Sequence, residues 1–102
     1  MLLDMQISVT KEGAKMKYKI FYDTTEIGVL EINTDGKYRY TPNMEGVEEV
    51  KNRVSLSYDL MEKSDWRDPI SFFKERLDNA SGFQSDVIAY HTDLFRMVKC
   101  NL

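Results

Sequence analysis

The sequence predicts an α+β fold. It calls for an antiparallel four-stranded meander in the N-terminal part, two helices packed on one face, and a C-terminal strand or hairpin that completes the sheet. Three observations carry this expectation. Apolar residues alternate with period two as far as position 41, recur at helical spacing between positions 43 and 81, and become strand-like again after position 86. Successive side chains of a strand point to opposite faces, whereas residues three and four apart share a helix face.

The first expected strand covers residues 3–10, where Leu3, Met5, Ile7 and Val9 alternate with Asp4, Gln6, Ser8 and Thr10. A turn at residues 11–15 leads to a second strand, with Met16, Tyr18, Ile20 and Tyr22 opposite Lys17, Lys19 and Phe21. Residues 23–26 break the run, and a third strand is expected over 27–33. Asp35-Gly36 then marks a tight hairpin, because this pair tolerates positive φ angles. The fourth strand covers 37–41 and stops at Pro42, which has no N–H to give to a ladder.

Val47, Val50 and Val54 form one apolar stripe on an otherwise polar helix, with Asn43 as its cap. Residues 55–63 fit either a strand or a helix. A second helix is expected to start at Asp68 as cap and Pro69 as first residue, with a stripe of Ile70, Phe73, Leu77 and Ala80. Gly82 suits the left-handed residue that ends a helix, with Phe83 packing back. Residues 86–102 read as strand, interrupted by His91-Thr92-Asp93.

The chain of 102 residues is expected to form one domain, 1–102, and its 42% apolar and 30% charged residues are those of a folded protein. The one cysteine, Cys100, excludes an internal disulfide and fits a reducing, cytoplasmic location. Residues 1–5 lack the basic start and apolar run of a signal peptide, and no stretch is apolar enough to span a bilayer, so no membrane contact is expected. The net charge of −3 argues against a sequence-blind nucleic-acid binder, which works by neutralising phosphates. Residues 44–81 hold the whole acidic excess, nine acidic side chains against six basic.

No residue pattern points to catalysis. His91 is the sole imidazole and has no nucleophile or metal ligand at a useful spacing, so an enzyme, a metal and a cofactor are not expected. Three surfaces remain as candidates. Lys17, Lys19, Lys37 and Arg39 interleave with tyrosines on two strands, as on sheets that bind single-stranded nucleic acid, although alternation places the tyrosines on the opposite face. Glu45, Glu48 and Glu49, with Asp65 further on, form an acidic helical region suited to a basic groove on a partner. Trp66, in a polar loop, is either tucked over a helix start or offered as a binding anchor. The resulting expectation is a small non-enzymatic cytosolic domain that binds a protein. The alternatives are an acidic inhibitor or nucleic-acid mimic of the mobile-element or anti-defence type, aimed at a nucleic-acid-handling protein, and a single-stranded nucleic-acid binder. A homodimer through the sheet edge at residues 3–10 is a further expectation.

Overall fold

Alternating apolar positions build a five-stranded antiparallel sheet, which places a tyrosine-rich side inward. The computed structural model describes residues 14–80, 86–89 and 93–100. Its elements in chain order are β1 (Ala14–Tyr22), β2 (Thr25–Asn33), β3 (Tyr38–Pro42), α1 (Met44–Val50), α2 (Tyr58–Met61), α3 (Ser71–Asn79), β4 (Val87–Ala89) and β5 (Phe95–Lys99). The strand order is β3-β2-β1-β5-β4. The C-terminal segment is therefore a hairpin, and it docks on β1 rather than continuing from β3.

The expected strand at residues 3–10 and the Gly82 and Phe83 cap lie outside the described residues. The meander among the described residues has three strands, and β5 holds the second side of β1 from Tyr18 to Tyr22. The hairpin at Asp35-Gly36 is longer than a two-residue turn. Of the Asp35-Gly36 pair, Gly36 alone has positive φ, at +79°, and the Asn33 side chain accepts hydrogen bonds from the N–H groups of Asp35 and Lys37 at 3.0 and 2.9 Å. This side-chain turn does what the dipeptide alone was expected to do.

Pairing registers stack the inward side chains in rows. Tyr18, Leu30 and Tyr40 face one another across β1, β2 and β3, and Ile20, Met97 and Ile88 across β1, β5 and β4. These residues share one core with Val47, Val50, Leu60, Ile70 and Phe73 from the helical layer. Tyr40 is fully buried, and its hydroxyl lies 3.1 Å from the Ile27 carbonyl oxygen and 3.2 Å from that of Leu60. Burial pushes that hydroxyl well above its ordinary pKa, so it stays a donor. Tyr40→Phe is expected to lower stability by about 1–3 kcal/mol in urea melts, since the one hydroxyl proton shared by the Ile27 and Leu60 carbonyls is lost, although Ile27 keeps the Asn43 N–H at 2.8 Å. An unchanged melt would show that neither bond is made.

Asn43 caps α1 as expected, accepting from the Gly46 N–H at 3.1 Å. Residues 55–63 resolve into the short α2, with Leu60 buried. The start of α3 differs from expectation. Its N-cap is Ile70, whose apolar side chain makes no capping bond, and the Asp68 carboxylate two residues ahead pairs with the Lys37 ammonium at 2.8 Å instead. Ile70 and Phe73 are buried as the stripe predicts, but the third buried position of α3 is Arg76. Its guanidinium lies 3.8 Å from the centre of the Phe72 ring, donates to the Phe72 carbonyl and pairs with Asp93. A guanidinium can occupy an apolar stripe when rings and a carboxylate surround it. Asp93 also accepts from the Phe95 N–H at 3.0 Å, so it ties α3 to the start of β5.

Candidate functional site

With the helices on one side, the other face of the sheet carries the alternate residues of every strand. The registers place Thr41, Val29, Lys19, Val98 and Val87 in one row across all five strands. A second row joins Arg39, Glu31 and Lys17. A third joins Glu26, Phe21, Arg96 and Ala89. Among the described residues, no helix packs on this outer face. Lys19, Thr41, Val87 and Ala89 are exposed, and Lys17, Phe21, Val29, Arg39, Arg96 and Val98 are half-buried.

Two cations of this face cover aromatic rings. The Arg39 guanidinium sits 4.3 Å from the centre of the Trp66 ring, and that of Arg96 lies 5.3 Å from the Phe21 ring. Arg39 also bonds Glu31 across the strands, Nε to Oε1 at 3.0 Å. Trp66 is half-buried, with the Arg39 guanidinium over its ring. The loop that carries it runs along the free side of β3, where Tyr38 and Arg67 exchange both backbone hydrogen bonds, at 2.8 and 2.9 Å. Ser64 adds two more, its N–H to the Tyr40 carbonyl and its Oγ from the Tyr40 N–H. That loop covers the β3 edge and delivers the indole to the rim of the outer face. Between them lies a concavity of about 500 Å³, lined by Glu31, Arg39, Thr41, Lys63, Ser64 and Asp65.

The residues singled out in the sequence divide accordingly. Lys17, Lys19 and Arg39 share the outer face, and the tyrosines point away from it into the core, as alternation requires. Lys37 precedes β3 in the hairpin turn and is held by Asp68, which raises the lysine and lowers the carboxylate from their ordinary pKa values. Asp65 and Trp66 lie at the rim of the same face. Glu45, Glu48 and Glu49 lie on α1, in the opposite layer. There Glu48 pairs with Lys51 at 2.8 Å and Glu49 accepts from the Thr25 hydroxyl at 2.6 Å. Thr25, Glu26, Asn43, Glu45, Gly46 and Glu49 line a shallower concavity of about 280 Å³. Arg96 and Val98 were not singled out in the sequence. Their position beside β1 depends on pairing between segments about 73 positions apart, as in the Arg96 bond to the Asp23 carbonyl.

His91 lies outside the described residues. Cys100 is half-buried, its thiol 3.9 Å from the Val98 carbonyl oxygen. Among the described residues there is no group of three or more His, Cys, Asp or Glu side chains that could hold a metal ion, and no helix long and apolar enough to cross a membrane. Comparison with protein families, curated proteins and solved structures finds no match to this chain.

Proposed function

We propose that the chain is a non-enzymatic module that binds a protein partner through the outer face of its sheet. The observation that carries this reading is the row Thr41, Val29, Lys19, Val98 and Val87, which crosses the five described strands on the face that no described helix covers. Val29, Val98 and Val87, with the Thr41 methyl, set β-branched side chains along this row on both sides of Lys19, and apolar groups mixed with polar ones in this way suit protein contact. The acidic-mimic reading has weaker support. Glu48, Asp59, Asp68 and Asp78 of the acidic region are exposed, but each lies beside a cation of the chain, which weakens the negative field that a basic groove would meet.

Affinity capture from source cells with three immobilised forms tests the surface. Wild type and a Glu45→Lys/Glu49→Lys variant should retain the same protein, and Val98→Asp should lose it while keeping its fold by circular dichroism. If the α1 variant loses that protein and Val98→Asp keeps it, the helical layer is the working surface and the proposal fails.

A further inference from the structure

We infer that the occupant of the outer face is an acidic amphipathic helix of the partner protein. This rests on the reading of that face as the binding surface and adds the chemistry of what it binds. Strands of a sheet lie about 4.8 Å apart, so a row over five strands is about 19 Å long, the length of a helix of about 13 residues. The face offers side chains and no backbone donors, which favours a ridge of side chains over an added strand. Charge sets the rest of the occupant's chemistry. Lys19 interrupts the apolar row, Lys17 and Arg39 flank it on one side, and Arg96 flanks it on the other. Glu31 bonds Arg39 within the first flank, Glu26 joins the second, and Lys63 and Asp65 lie together at the rim beside Arg39 and Thr41, so cations still outnumber carboxylates around the row. An apolar ridge bordered by Asp and Glu on both sides complements this layout.

The same layout disfavours two other occupants. A second copy laid face to face would set Lys17, Lys19, Arg39 and Arg96 against themselves. Single-stranded nucleic acid needs ring faces for its bases. Here valines hold the middle row, and the Trp66 and Phe21 rings are each faced by a guanidinium.

Selection of a displayed library of random short peptides against the intact chain tests the inference, with a labelled oligothymidine strand as a parallel probe. Enriched peptides should carry Leu, Ile or Phe at helical spacing with flanking Asp or Glu. Their binding should weaken about tenfold in a Lys19→Glu/Arg96→Glu variant and weaken again in high salt. Trp66, the one tryptophan, supplies a fluorescence readout in solution. Enrichment of basic or neutral peptides that still require Val98 would overturn the acidic helix and leave the surface standing. Enriched peptides lost in Glu45→Lys/Glu49→Lys but kept in Val98→Asp would overturn the surface itself. Oligothymidine bound more tightly than every peptide would reassign the face to nucleic acid, and no enrichment would also sink the inference.

Discussion

Phe73→Ala is expected to remove about 3–5 kcal/mol of folding stability, because the ring is fully buried and its loss leaves a cavity. The ring lies 5.2 Å from that of Tyr40 and 5.3 Å from that of Phe72, centre to centre, so it joins α3 to β3 and to its own neighbour. Phe72, Leu77 and Ala80 are only partly buried against the core, and Arg76 occupies the next fully inward position, so Phe73 is the one fully buried apolar side chain of α3 among the described residues. A small protein has about 5–15 kcal/mol in total, so the variant should keep only a fraction of its margin. Its melting temperature should fall by about 12 °C or more. Lys74→Ala, on the exposed side of the same helix, should stay within about 0.5 kcal/mol of wild type. A Phe73→Ala loss below about 1 kcal/mol in urea would show that α3 is not packed on the sheet.

Gly46→Ala sets two opposing effects against each other. Helix propensity alone favours alanine over glycine inside α1 by up to about 1 kcal/mol. Against that, a Cβ at position 46 would lie 1.9 Å from the Glu26 carbonyl oxygen and 2.9 Å from its carbon. Both atoms are backbone of β2, so neither can swing aside, and α1 would have to lift off the sheet. Val47 and Val50, both buried, would lift with it. Overpacking costs about 1–3 kcal/mol in cores that can relax, and a rigid backbone neighbour relaxes least. A net loss of about 2 kcal/mol or more is therefore expected. A thermal melt showing a stabilised variant would mean that α1 stands further from β2 than the structure has it.

The contrast between these residues and the candidate site shows which features were legible in the sequence. Alternation placed Tyr18, Tyr38 and Tyr40 inward and Lys17, Lys19 and Arg39 outward, because period two is a local property of a strand. The Asn43 cap was legible for the same reason. Asp68-Pro69 misled because the backbone bridge of Arg67 to Tyr38 fixes the chain just ahead of it, and the helix begins after Ile70, a long-range constraint that no local pattern shows. Arg76 is not part of the stripe Ile70, Phe73, Leu77 and Ala80, and nothing nearby in sequence reveals that Asp93 will meet it. The outer face was half legible. Its cations on β1 and β3 could be read, but Arg96 and Val98 join them only through the register of β5 on β1, which no local pattern sets.

The same register has a consequence for how the chain is made. β1 lies in the middle of the sheet, yet β5, one of its two neighbours, is synthesised much later. Asp23 at the end of β1 and Arg96 of β5 are 73 positions apart. At a translation rate of about 5–20 residues per second, β1 emerges some 4–15 s before the strand that flanks it from Tyr18 to Tyr22. Over that interval the meander and helices can assemble while one margin of β1 still lacks β5. Unpaired strand margins recruit other chains, so the nascent protein is most exposed to misassembly just before its C-terminal hairpin arrives. Non-local pairing of this kind also slows refolding, and docking of β4 and β5 should be the late step of it.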